Sequence, residues 1–221
     1  MKESSFYPCV EELLKSEAFG CFKTAQKVGT SFVGIADVVG TRDVGGDVRG
    51  EMEIIAVEVK KSPSNFGKIL GQALGYSLLA HKCYLAVHFS NDKAFSLEQK
   101  ELATRLGVGL LEIRKIYGVL RCTEALTSAN HVPHGHQMET LLRRGLGLIR
   151  CGFCGFYVDM GSVTQSWQEA LKKEKVYLSW RKPERSLLFS RRRKGDWRRL
   201  YICNDCVKEL WEGLALEEEQ E

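Results

Sequence analysis

No apolar run in this 221-residue chain approaches the roughly 20 residues needed to cross a bilayer. A membrane anchor is therefore not expected. The opening stretch, MKESSFYPCVEELL, lacks the apolar core of a secretory signal, and the expected location is cytoplasmic. No internal repeat and no low-complexity tract precedes the acidic end EEEQE, which argues against a stacked repeat array and reads as a solvated tail. A disulfide framework is missing too. Of the 8 cysteines, Cys9, Cys21, Cys83 and Cys122 are scattered, whereas Cys151/Cys154 and Cys203/Cys206 are paired. In a chain without a secretory signal, such pairing reads as metal binding.

What is present suits a folded protein: 44% apolar residues can bury a core, and 27% charged residues are ordinary for a globular chain. The length fits one large domain or a core with a small appendage. Net charge is only +4, but residues 150–199 carry 13 Lys and Arg against 5 Asp and Glu, and residues 200–221 carry 1 against 7. An anionic partner is expected at the basic stretch.

The chain is organised around residues 37–76. On an extended strand over 53–61, Ile54, Ala56, Glu58 and Lys60 fall on one face and Ile55, Val57 and Val59 on the other. Two apolar faces suit a central strand. One of them turns abruptly to Glu58 and Lys60, and Asp37 interrupts the preceding apolar run in the same way. Buried charges are costly unless compensated. A shared site holding a metal ion and a substrate explains all three. Gly45-Gly46 marks a turn between strands at 32–39 and 53–60, making them antiparallel neighbours and bringing Asp37 near Glu58.

This arrangement resembles the PD-(D/E)XK nuclease superfamily, with its restriction-endonuclease-like fold. Asp37 and the run Glu58-Val59-Lys60 stand in the signature positions, and Gln72 and Tyr76 match the Gln-x-x-x-Tyr motif of several branches. The residue before Asp37 is Ala36 where the family name has proline. The resemblance covers roughly the first 115 residues. It implies that Asp37, Glu58 and the Val59 carbonyl hold catalytic Mg2+ (or Mn2+). Lys60 would stand beside the scissile phosphate, and Gln72 and Tyr76 would position the phosphate or Lys60. Relatives also use a first-helix Glu as an extra contact, a role open here to Glu11, Glu12 or Glu17. Many act as homodimers, so a homodimer is a further expectation.

Around this centre the periodicity predicts a helix over 8–19 ended by Gly20, a short strand at 21–28, and a helix over 66–80. A parallel strand follows at 83–87, then a helix over 97–106 and a last strand at 108–113. The fold class is α/β, αβββαβ with a further αβ and a mixed central sheet flanked by helices. Residues 128–136 read as a loop, where His131, His134 and His136 read as polar loop residues rather than a metal site. Residues 137–148 read as a short joining helix.

Cys151-Gly-Phe-Cys154-Gly155 reads as a zinc knuckle. Cys203-Asn-Asp-Cys206 precedes a helical run, where a helix N-terminus favours thiolates. Two such pairs make a closed tetrahedral Zn2+ site, structural rather than catalytic, resembling a zinc ribbon or treble-clef finger. The 48 residues between the pairs carry Arg191, Arg192, Arg193, Lys194, Arg198 and Arg199, with Trp167, Trp180, Phe189 and Trp197 interleaved. Phosphate neutralisation and base stacking are the matching chemistry.

The expected division is a nuclease-like core over 1–121, a linker over 122–149, a zinc-binding domain over 150–212 and an acidic tail over 213–221. The expected function is metal-dependent phosphodiester hydrolysis of nucleic acid, with DNA the first choice. The rivals are a non-catalytic nucleic-acid-binding module on the same fold and an RNA-processing nuclease.

Overall fold

Strands rich in alternating β-branched residues build a mixed six-stranded sheet, and helices flank it on both faces. The computed structural model describes residues 2–30, 33–45, 51–90, 93–151, 154–159, 189–193, 196–200 and 205–206. The sheet takes its strands in chain order: β1 (Lys23–Thr30), β2 (Gly34–Asp43), β3 (Met52–Lys60), β4 (Lys82–His88), β5 (Gly109–Ile116) and β6 (Val119–Leu126). The β1–β2–β3 pairs are antiparallel, β3–β4–β5 are parallel, and β6 returns antiparallel along β5. Parallel neighbours need crossovers, supplied here by α2 (Phe66–Gly75) and α3 (Leu97–Leu106).

The alternation of β3 decides the layers. Ile55, Val57 and Val59 point to the side of α1 (Tyr7–Lys15), where they join Phe6, Val10 and Leu14 in one core. On the other face, Leu85, Val87 and Leu110 pack with Ile69, Leu70, Ala73 and Ala103 from α2 and α3. Full burial of such side chains contributes about 1.5–3 kcal/mol each. A truncation such as Leu70→Ala, at a fully buried position, would cost about 2–5 kcal/mol.

Several boundaries differ from expectation. Helix α1 stops at Lys15 rather than running to 19. Ser16 is extended, and the N–H groups of Phe19 and Gly20 turn back onto the Ser16 carbonyl. Helix α2 ends at Gly75 and tightens into a 3-10 turn, Tyr76–Leu78. Helix α3 forms as expected, closed at its start by the reciprocal Ser96–Gln99 capping box and at its end by left-handed Gly107.

The largest difference is β6. The expected last strand ended at 113, and a core boundary was expected at 121. In the structure β5 runs on to Ile116 and pairs with β6 from Ile116↔Val119 back to Leu110↔Leu126, with a bulge near Leu110. The boundary at 121 thus falls inside a strand. The run VLRCTEAL is an edge strand, partly exposed along its length and interrupted by Arg121, Thr123 and Glu124, so it lacks the apolar density by which the inner strands are read. Helix α4 (Gly135–Thr140) continues as a π turn, Leu141–Gly145.

Two compact units emerge, Met1–Val44 with Met52–Leu146, and Gly45–Glu51 with Gly147–Glu221. The described parts of the second include two small antiparallel ladders. One pairs β7 (Leu148–Arg150) with β8 (Tyr157–Asp159), and the other pairs β9 (Phe189–Arg193) with β10 (Asp196–Leu200). Among the described residues no helix is long and apolar enough to cross a membrane.

Candidate active site and metal centre

The β2–β3 ladder has its last paired position at Val38↔Val57. Beyond that point the Asp37 side chain substitutes for the missing strand, its Oδ2 accepting the Val59 N–H at 2.8 Å. The Tyr7 hydroxyl from α1 donates to Oδ1 at 2.7 Å. Lys27 of β1 donates to the same oxygen. Asp37 is buried, and the protein provides a donor for each of its oxygens.

Glu58, also buried, is held in a similar way. Its Oε1 meets the Lys60 ammonium at 2.6 Å, and its Oε2 meets the Tyr76 hydroxyl, which also lies 2.9 Å from the Ile35 carbonyl. Tyr76 therefore bridges β2 and β3 from below. Asp37, Glu58, Lys60 and Tyr76 form one cluster. Gln72 does not join it: the residue is exposed on α2, and its side chain makes no hydrogen bond among the described residues. Tyr76 stands three residues after buried Ala73 and continues the inward stripe of α2, whereas Gln72 falls beside that stripe.

The electrostatics follow from these contacts. Partial burial works against the Lys60 ammonium. The hydrogen bond and charge of Glu58 outweigh that, helped by Glu3 and Asp37, and its pKa is raised. Lys60 is thus a cation at neutral pH and counters negative charge rather than accepting a proton. Burial opposes the Lys27 ammonium as well, but its bonds to Asp37 and Tyr7 prevail and its pKa rises. Burial, reinforced for Tyr76 by Glu58, holds both phenols above the ordinary tyrosine value. They act as neutral donors. Two carboxylates are matched by two ammonium groups.

Sequence reasoning missed Tyr7 and Lys27. Tyr7 sits where the helix start turns toward the sheet, which no strand pattern reveals. Lys27 stands opposite Asp37 in the β1–β2 register, between the pairs Gln26↔Val38 and Val28↔Ala36, with a left-handed φ of 55°. Such a backbone is uncommon for lysine and is a form of strain often found at functional sites. Its ammonium also lies 5.1 Å from the Tyr7 ring centroid.

The other acidic and histidine candidates lie elsewhere. Glu11 accepts hydrogen bonds from Thr24 and Gln26 and ties α1 to β1, while Glu12 and Glu17 are exposed. His131 contacts the Gly107 carbonyl and His136 contacts Thr140. Among the described residues, the three histidines form no metal-binding group with one another.

In the second unit Cys151, Cys154 and Cys206 do form such a group, their sulfurs all within 4.8 Å of one another. The Cys151 and Cys206 sulfurs are 3.9 Å apart. A disulfide is excluded at that separation. Tetrahedral thiolates around zinc, each at ~2.3 Å, would stand about 3.8 Å apart. The knuckle geometry supports the pair: the Gly155 N–H bonds the Cys151 carbonyl at 3.0 Å, and Gly155 has a φ of 83° that glycine alone adopts readily. The three thiols could bind a metal such as zinc. Cys203 lies outside the described residues, as does Lys194. Arg191, Arg192, Arg193, Arg198 and Arg199 stand on the β9–β10 ladder, with Arg191 opposite Arg198.

No protein-family model matches the chain, and no curated protein matches it. Among solved structures it is similar to the SPO1766 protein of unknown function from Silicibacter pomeroyi, at 12% identity and a TM-score of 0.42. That match covers 82% of this chain and 99% of the other.

Proposed function

We propose that the chain is a divalent-metal-dependent nuclease of the PD-(D/E)XK type, with DNA its expected substrate and a structural zinc in its second unit. One observation carries the reading. Asp37 and Glu58, both buried, lie together with Lys60 where β2 and β3 separate. Their oxygen donors fit a hard cation such as Mg2+, which takes carboxylates and carbonyls and fills its remaining positions with water and phosphate. Asp37, Glu58 and the Val59 carbonyl would hold it. When bound, Mg2+ supplies an acidified water and a counter-charge for the phosphoryl oxygens.

The chain's own residues do the rest. Lys60, a lasting cation, binds the phosphate and stabilises the charge that develops on it. Tyr76 fixes the Glu58 carboxylate, and Tyr7 and the Val59 N–H fix Asp37. The arginines of β9 and β10 would supply cations for the phosphates of the nucleic acid. Cys203 would complete the zinc set with Cys151, Cys154 and Cys206.

A second reading has a specific observation in its favour. Lys27 and Lys60 already neutralise the two carboxylates, so the site is balanced without a metal. A non-catalytic nucleic-acid-binding module would have the same arrangement. Labelled single-stranded, duplex and branched DNA and RNA, incubated with Mg2+, Mn2+ or neither, separate the two, and RNA cleavage would identify an RNA-processing enzyme. The nuclease reading expects metal-dependent cleavage that Asp37→Ala or Lys60→Ala abolishes while binding persists. Tight binding without cleavage of any substrate by the parent protein would establish the module instead.

A further inference from the structure

We propose that the β5–β6 hairpin is a stacking arm for unpaired nucleobases, with Tyr117 its platform, reaching past the sheet edge that carries Glu58 and Lys60. The proposal rests on the nucleic-acid reading above and deepens it to a substrate with exposed bases.

Topology gives the placement. The registers Lys60↔Val87 and Val87↔Glu112 put Glu112 level with Lys60, two strands away. From Glu112 the hairpin continues to Tyr117, roughly 15 Å further along the strand direction and about 10 Å to the side. Alternation puts Leu110, Glu112 and Arg114 on the sheet face of Glu58 and Lys60, and Arg121 is paired opposite Arg114. The arm therefore extends beyond the C-terminal end of β3, in the same unit as the candidate phosphate site.

The tip breaks local rules in two ways. Its two-residue turn has positive φ at both Tyr117 (48°) and Gly118 (84°), the signature of a type I′ turn. That turn favours Asn or Asp before Gly, because a bulky side chain strains the left-handed backbone. Packing does not offset the strain, since Tyr117 is 101% exposed. Opposed arginines add an unfavourable like-charge pair. Glu112 relieves Arg114 at 2.7 Å. Lys115 and Arg121 stay exposed with no ion pair among the described residues. Such departures, gathered at one tip, are expected where function overrides stability.

The chemistry selects the partner. An exposed ring flanked by cations stacks on a base while Lys115 and Arg121 neutralise the adjoining phosphates. A ring on a narrow turn meets only a base whose face is open, which paired duplex does not offer.

The test uses the full chain in EDTA, so that binding is read without cleavage. Fluorescein-labelled oligothymidylate, oligouridylate and a DNA duplex of the same length are titrated against the parent, Tyr117→Asn and Tyr117→Phe. Tyr117→Asn should weaken single-strand binding about tenfold, leave duplex binding unchanged, and raise the thermal midpoint, because Asn suits the turn. Tyr117→Phe should bind like the parent. An abasic oligomer should lose the same factor on the parent, with no further loss on Tyr117→Asn. If Tyr117→Asn binds single strands as the parent does, the arm is overturned and the nuclease reading stands. If the parent binds neither DNA nor RNA, the nucleic-acid reading falls and takes the arm with it.

Discussion

In the first unit, Asp37 and Glu58 are enclosed by the protein's own donors: two ammonium groups, two phenols and a backbone N–H. In the second, Cys151, Cys154 and Cys206 converge at separations suited to the coordination sphere of one soft ion. The carboxylate cluster is balanced by the protein itself, and the divalent ion of the proposed function would compete with Lys27 and Lys60. For the cysteine cluster, binding of a zinc ion would itself be coupled to folding. Under the proposed function, metal would act on a finished scaffold in one unit and build the scaffold in the other.

The sharpest way to break this contrast is at the cysteines. Structural zinc contributes on the order of 10 kcal/mol or more in small zinc modules. Cys206→Ser should remove about one equivalent of zinc by elemental analysis and open residues 147–206 to limited proteolysis. The urea transition of the first unit should be retained. A parent protein that contains no zinc would remove one side of the comparison.

Next in size is Asp37→Ala, which deprives the Val59 N–H, the Tyr7 hydroxyl and Lys27 of their shared acceptor. A loss of about 2–4 kcal/mol is expected from urea denaturation, with or without divalent ions. A change below about 1 kcal/mol would mean that the carboxylate is not part of the scaffold.

Lys27→Met tests the competition. The Lys27 side chain is 58% exposed, so solvent screening limits the stability change to within about 1 kcal/mol. Removal of its charge should tighten Mn2+ binding severalfold in a titration followed by electron paramagnetic resonance. Unchanged affinity would show that Lys27 does not oppose the ion.

The smallest effect is a pH dependence that needs no metal. The His81 Nδ1 accepts the Ile54 N–H at 3.0 Å, and burial lowers the His81 pKa from its ordinary 6.5. Unfolded protein therefore takes up the proton first. Stability is full above pH ~6.5 and declines as pH falls from there toward the lower folded value, where the loss levels off. Thermal melts between pH 7.5 and 5 should follow this trend. His81→Asn, which keeps an acceptor but does not titrate, should flatten it.

The inner sheet was readable because β3 and β4 are bounded apolar runs, and α3 has clear signals at both ends. Asp37, Glu58 and Lys60 stood out as charges inside such runs. The edge strand β6 did not, because a half-exposed strand has weak patterning and its Tyr117-Gly118 turn lacks the usual Asn or Asp. Tyr7 and Lys27 escaped for another reason: their contacts join α1 and β1 to β2, and no local spacing encodes that meeting. Gln72 lies on the exposed side of α2, beside the buried stripe of Ile69, Leu70 and Ala73.

The amino-acid sequence determined which strands are buried on both faces, because solvent exclusion imposes a two-residue rhythm that needs no partner to be read. It also determined that charge interrupts that rhythm at Asp37, Glu58 and Lys60. Only the tertiary structure decided how those charges are balanced. A left-handed Lys27, a phenol from the first helix and a phenol just past the second reach the carboxylates through space, and electrostatic pairing depends on distance rather than on position along the chain.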